Sequence, residues 1–189
     1  MLGALGAEVL RHHLQGDDLA TLETAAAEAV AAADLVVVTG GASVGARDHA
    51  KAMVAPLGLE LLFTGVAIKP GKPVWLGRVG ATLVMGLPGN PSSAVVTARL
   101  LLAPLVAGLL GQRSPKPLEW IDFLLAAPLP ATGDREAFFR AALADGRLLP
   151  LANQDSGGQR ALAEAGWLIR CPAGLGSLEP GTRVSALAF

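Results

Sequence analysis

Leu35-Val36-Val37-Val38-Thr39-Gly40-Gly41-Ala42-Ser43-Val44-Gly45-Ala46-Arg47-Asp48 is the stretch on which the fold turns. Its first five residues carry no charge and include three consecutive valines, which reads as a strand buried on both faces, as in α/β sheets. The glycines after Thr39 let the backbone turn tightly and bring its N–H groups close to a ligand. A helix is expected next, with Asp48 in its first turn. A strand that feeds a glycine loop and then a helix places that loop at the carboxyl edge of the sheet, where open α/β sheets bind ligands.

Upstream, Leu2, Leu5, Val9 and Leu10 sit at helical spacing and predict a first helix that ends near Gly16. Asp17 or Asp18 can cap a second helix, whose apolar face runs through Leu19, Leu22, Ala26, Ala29, Val30 and Ala33. Downstream, the helix after the loop extends to about Leu57, with Gly58 as its C′ residue. Strands are expected at residues 61–64, 74–76 and 82–87, the last two as a hairpin across Arg78-Val79-Gly80. A helix from about Pro91 to Leu110 closes the unit, with Pro104 placed to kink or interrupt it. This order predicts an α/β domain over 1–112, doubly wound around a mainly parallel sheet. It opens on a helix where such a domain opens on a strand, so either the sheet starts at residue 35 or a preceding strand is missing. Residues 113–117, Arg113-Ser114-Pro115-Lys116-Pro117, form a stiff polar linker. Short strands follow at residues 120–125, 137–143, 148–151, 168–171 and 184–187, with a short helix at 160–165. They predict a small C-terminal β-barrel-like domain over 118–189.

The bulk composition narrows the function. Of 189 residues, 52% are hydrophobic and only 16% charged, which excludes a disordered chain. Residues 1–112 hold 7 basic and 8 acidic side chains and residues 113–189 hold 8 and 8, so neither part has the excess positive charge of a nucleic-acid-binding surface. Cys171 is the only cysteine, which rules out an internal disulfide and a thiolate zinc cluster and fits a reducing, cytoplasmic compartment. The start lacks a basic region followed by a long apolar run, and the most apolar stretch, residues 100–110, is shorter than the ~20 residues that span a bilayer. A soluble protein without a membrane partner is expected.

Four polar segments can carry chemistry. The glycine loop lacks the lysine and spacing of a Walker loop. Gly41-Ala42-Ser43-Val44-Gly45 has the spelling of a hydrolase elbow, but all three histidines precede it or lie beside it. Lys69-Pro70-Gly71-Lys72-Pro73 holds two ammonium groups on a proline-stiffened loop, which suits a small oxyanion. Its alternative is a surface turn with lysines in water. Leu87-Pro88-Gly89-Asn90-Pro91-Ser92-Ser93 joins a strand to a helix start, with Asn90 as N-cap and two hydroxyls at the positive dipole end. Asn153-Gln154-Asp155-Ser156 is by itself an ordinary polar loop, and Arg140, after Phe138-Phe139, is by itself a solvated strand residue.

Together, Thr39–Asp48, the Ala67-Ile68-Lys69-Pro70-Gly71-Lys72-Pro73 segment and the Gly86-Leu87-Pro88-Gly89-Asn90-Pro91-Ser92-Ser93 segment resemble the molybdopterin molybdenumtransferases, the family of bacterial MoeA and the gephyrin E domain. Their order and spacing are specific. Phe138-Phe139-Arg140, Asn153–Gly157 and Glu179–Val184 resemble the family's C-terminal β-domain more loosely. The resemblance implies a reaction in which adenylylated molybdopterin is hydrolysed and molybdate is inserted into its dithiolene, with Mg2+ assisting and AMP released. It implies substrate binding by Gly40, Gly41, Ser43 and Gly45, with Asn90 and Ser92 at the substrate or nucleotide edge. It implies metal-associated, catalytic carboxylates at Asp48 and Asp17, with Asp18 an alternative to Asp17. It implies molybdate binding by Lys69, Lys72, Pro73, Arg140 and Ser156, and a homo-oligomer, a dimer in the family.

There are departures. Ala46 stands where the family is usually acidic, and Ala165-Gly166 where Ala-Asn is common. A Thr-Gly-Asp-Glu segment that carries another active-site acid has no counterpart, so the chain is expected to correspond to a C-terminal portion of the family. Two other functions fit less of it: a MogA-type molybdopterin adenylyltransferase, and a non-catalytic molybdopterin-binding or scaffolding fragment.

Overall fold

A computed structural model describes residues 1–10, 18–40, 49–112, 118–155, 157 and 159–188. Contacts divide the chain into two compact units. One holds Met1–Val66 and Gly71–Asn90; the other holds Ala67–Pro70 and Pro91–Phe189. The helix after Pro91 thus groups with the C-terminal strands. The expected linker, 113–117, lies outside the described residues.

In the first unit, Gly3–Leu5 is a single 3-10 turn where the sequence predicts the start of a longer helix, and residues 11–16 of that expected helix lie outside the described residues. Gly3 and Gly6 are poor helix formers, and Gly6 ends the turn in the left-handed region at φ 92°. Helix α1 (Leu19–Ala32) starts at Asp18, whose side chain accepts from the Thr21 backbone N–H. Strand β1 (Leu35–Thr39) follows. Helix α2 (His49–Ala52) ends at Ala52, and a 3-10 turn at Ala55–Leu57 follows where the sequence predicts that the helix continues. Pro56 has no N–H to continue an α-helical ladder. Gly58, at φ 83°, is the expected left-handed cap.

Strand β2 (Glu60–Phe63) comes next, then β3 (Ile68–Lys69), β4 (Trp75–Val79) and β5 (Thr82–Leu87). The first sheet runs β1-β5-β4-β2. Among the described residues β1–β5 is the one parallel pairing of this sheet; β4 is antiparallel to both of its neighbours, β5 and β2. The α/β class stands, but the sheet is mixed rather than mainly parallel, because the hairpin at Gly80 reverses the chain direction. Leu22, Ala26, Ala50, Met53, Val54, Trp75 and Val84 form the core of this unit.

The second unit takes β3, which the sequence reading missed, together with the helical stretch from Pro91. That stretch is α3 (Pro91–Thr97), a π-turn (Ala98–Leu102) and α4 (Ala103–Leu109). Pro104 has no N–H to give Leu100, and the helix widens just before it, so that the Ala103 N–H bonds the Ala98 carbonyl five residues back. The helix is interrupted without ending. Residues 91–109 are long and apolar enough to match a bilayer by length and composition, but 56% of the most apolar window is buried inside the molecule, as in a core helix.

Strands β6 (Trp120–Leu124), β7 (Glu136–Ala144), β8 (Arg147–Pro150), β9 (Trp167–Cys171) and β10 (Arg183–Ala188) and helix α5 (Gln159–Glu164) complete the chain. The second sheet runs β3-β7-β9-β10-β6, with β8 on β7. A bridge between Leu125 and Leu148 connects the β6 end to β8, which makes the sheet barrel-like. Leu125, Ala137, Ala141, Leu148, Ile169, Val184 and Ala186 fill its interior.

Candidate functional site

In the first unit, register places the carboxyl ends of β1 and β5 side by side, with Thr39 opposite Leu87 and Val38 opposite Gly86. The chain leaves β1 through Gly40, at φ 85°, and leaves β5 through the buried Pro88. A Cβ on Gly89 would lie 3.4 Å from the Gly40 Cα, so the two exits run side by side, and the left-handed φ at Gly40 favours glycine there. This is the carboxyl edge of the parallel β1–β5 pair, the position at which open α/β sheets bind ligands. Gly40 and Asn90 stand here, Asn90 exposed. Gly41, Ser43, Gly45 and Asp48 lie outside the described residues, as does Asp17.

Asp18 caps helix α1 through one of its carboxylate oxygens. Its Oδ2 accepts from the Thr21 backbone N–H at 2.9 Å and from the Thr21 hydroxyl. The hydroxyl first and the backbone N–H second hold its carboxyl below the ordinary value of 3.8. The structure therefore gives Asp18 a local capping role. Among the described residues, no group of three or more His, Cys, Asp or Glu side chains is placed to hold a metal ion.

The Lys69–Pro73 motif spans both units. Lys72 and Pro73 belong to the first, where the Lys72 carbonyl accepts from the Val66 N–H at 3.1 Å and the Val74 N–H bonds the Gly71 carbonyl. Gly71, buried and at φ 119°, lets this turn close. Lys69 belongs to the second unit, on β3, paired with Ala137 of β7. Both lysine side chains are exposed and have no hydrogen-bond or ion-pair partner among the described residues.

Arg140 corrects the reading of it as a solvated strand residue, for it is 1% exposed. Along β7 it shares a face with Leu168 of β9 and Leu187 of β10, both also buried. The helix from Pro91 lies on that face: Arg140 Nη1 donates to the Ser92 Oγ at 2.6 Å, and Arg99 Nε donates to the Ala188 carbonyl at 2.9 Å. Nη2 donates to the carbonyls of Asp155 at 2.9 Å and Asn153 at 3.3 Å. Every one of these acceptors is neutral, and among the described residues no carboxylate lies at ion-pair distance from the guanidinium. Burial lowers its pKa, and the charge of Asp155 acts the other way. Among the described residues the cation is held by neutral dipoles rather than by a carboxylate.

Ser92 is fully buried against Arg140 and supports it. Ser156 lies outside the described residues. Gln154 was passed over in the sequence; only its place in a polar loop marked it. A cavity of about 350 Å³ in the second unit includes Arg170 and Arg183 but none of the sequence-predicted residues. Arg170 pairs with Glu136 and Arg183 with Asp122, so it offers no free cation.

Comparison with known proteins places this geometry. Residues 1–108 match the family described as probable molybdopterin binding domain, and residues 123–189 match the MoeA C-terminal region, domain IV. A molybdopterin molybdenumtransferase of Haemophilus influenzae is 43% identical over 116 residues, 61% of this chain and 28% of its own length. One of Bacillus subtilis is 31% identical over 175 residues, 90% of this chain and 40% of its own. Among solved structures, the molybdopterin biosynthesis MoeA protein of Pyrococcus horikoshii superposes with a TM-score of 0.76 at 28% identity, over 91% of this chain and 41% of that one. The chain thus spans less than half the length of these relatives.

Proposed function

This chain belongs to the probable molybdopterin binding domain family, and from that premise we propose that it acts in molybdenum cofactor biosynthesis, as the part of a molybdopterin molybdenumtransferase that receives molybdate. The reaction would take adenylylated molybdopterin and molybdate and release AMP. The observation that carries the reading is Arg140, a buried guanidinium held only by neutral acceptors in the unit that also presents Lys69. Such an arrangement suits a small oxyanion dianion, because the charge is desolvated and its geometry fixed.

The family's assignments extend this reading. Lys69, Lys72, Pro73, Arg140 and Ser156 would bind molybdate. Gly40, Gly41, Ser43 and Gly45 would hold the pterin or its phosphates through backbone N–H groups, with Asn90 and Ser92 at the substrate edge. Asp48 and Asp17 would be the acids associated with Mg2+. On the same reading, residues 1–112 form the molybdopterin-binding domain and 118–189 the β-domain, in a homo-oligomer. The likeness of residues 123–189 to the MoeA C-terminal region favours this over a MogA-type adenylyltransferase.

The test is to incubate the purified chain with adenylylated molybdopterin and to measure AMP with and without molybdate. Molybdate-dependent AMP release is expected. Pterin binding without AMP release would instead indicate a non-catalytic binding or scaffolding protein.

A further inference from the structure

Gln154 uses the whole hydrogen-bonding capacity of its amide on one neighbour and one turn. Its Oε1 accepts from the Arg140 backbone N–H at 3.0 Å and from Arg140 Nε at 3.5 Å. Its Nε2 donates to the Arg140 carbonyl at 2.9 Å and to the Leu151 carbonyl at 2.7 Å. Two acceptor contacts and two donated protons exhaust a primary amide, so Gln154 has nothing left for a ligand.

Its position explains the arrangement. The ladder between β7 and β8 ends at Ala141 opposite Pro150, one residue short of Arg140. The Leu151 N–H still reaches the Arg140 carbonyl at 2.9 Å, and the Gln154 side chain then supplies what the next strand residue would have supplied. The bond to Leu151 also curls the loop back, so that the carbonyls of Asn153 and Asp155 face Arg140 Nη2. The Asp155 carboxylate turns instead to the Gly157 N–H, at 3.2 Å.

We infer that Gln154 is a positioning residue for Arg140: it fixes the strand edge and the loop so that the guanidinium is oriented by neutral groups alone and keeps its full charge for an incoming oxyanion. This rests on the reading of Arg140 as an oxyanion ligand. A carboxylate in place of the amide would keep one acceptor, lose both donors and neutralise the cation.

The test uses the 189-residue chain with Gln154→Met, which keeps length and loses all four contacts, and Gln154→Glu, which keeps shape and adds charge. One measurement is the nitrogen–proton NMR signal of Arg140 Nε, assigned by its loss in Arg140→Lys. The other is calorimetric titration with sodium molybdate, with thermal unfolding as the control for folding. In Gln154→Met the Arg140 signal is expected to exchange out and molybdate binding to weaken about tenfold or more, the scale of a hydrogen bond to a charged group. In Gln154→Glu the signal is expected to persist through the new ion pair, while molybdate binds more weakly still. A purely structural residue would instead weaken binding only in proportion to lost stability, equally in both variants. A Gln154→Met protein with the parent's Arg140 signal and affinity would overturn the inference. If the parent itself binds no molybdate, the oxyanion reading fails, and the NMR measurement alone decides whether Gln154 holds Arg140.

Discussion

Trp75 and Gly86 face each other across β4 and β5, and a Cβ on Gly86 would overlap the Trp75 indole. Trp75 is fully buried, and its Nε1 has no hydrogen-bond partner among the described residues. Gly86→Ala is therefore expected to destabilise by about 3 kcal/mol, the scale of a severe overpacking, and much less in a Trp75→Leu background. Equal costs in the two backgrounds, measured by urea unfolding, would break this coupling. Cys171 is 1% exposed, and burial pushes its thiol up to about 11. It should resist thiol reagents at pH 8 in the native protein and react fully in denaturant. At Asp18 the folded carboxyl titrates below its unfolded value, so its contribution is complete above 3.8 and disappears as pH falls through the lower folded value. An Asp18→Asn variant should therefore show a smaller loss of stability than the parent on acidification below pH 3.8. At this scale the sequence announced the lysines and the capping aspartate. It did not announce Arg140's burial, because period-two alternation cannot tell a face covered by a helix from one in water, nor the two carbonyls that hold it, because backbone acceptors leave no trace in residue type.

Among the elements, β1, β5 and the helix from Pro91 were legible because a charge-free run, an apolar run and a proline-started stretch each have one physical solution. The two-residue β3 was not, since Ile68-Lys69 becomes a strand only by pairing with Glu136 and Ala137, far along the chain. The sheet was expected to be mainly parallel although the hairpin at Gly80 was visible; the antiparallel consequence for β2 and β4 depends on pairing order, which local pattern does not fix. Helix α1 is tied to the sheet at its end, where the Thr82 hydroxyl donates to the carbonyls of Val30 and Ala33, both at 3.1 Å. Thr82→Val removes that tie without changing shape and should cost about 1 kcal/mol in urea unfolding. No loss would mean that water satisfies those carbonyls equally well.

For the whole molecule, two features have consequences. Among the described residues β1 pairs only with β5, leaving the other edge of a charge-free, proline-free strand without a partner strand. Such edges favour pairing with another chain, so light scattering after size exclusion should show a mass above one chain that rises with concentration. A monodisperse 19.2 kDa species would contradict this. The second feature is charge. The Lys69 side chain is exposed, has no hydrogen-bond or ion-pair partner among the described residues, and belongs to the same unit as the buried Arg140. Its removal therefore separates binding from folding, which removal of Arg140 would not. The most direct measurement of the proposed role is calorimetric titration of the chain and its Lys69→Ala variant with molybdate. Saturable binding by the parent, weakened about tenfold or more in a variant of unchanged thermal stability, is the predicted result. No binding by the parent, or equal affinity in both proteins, would contradict it.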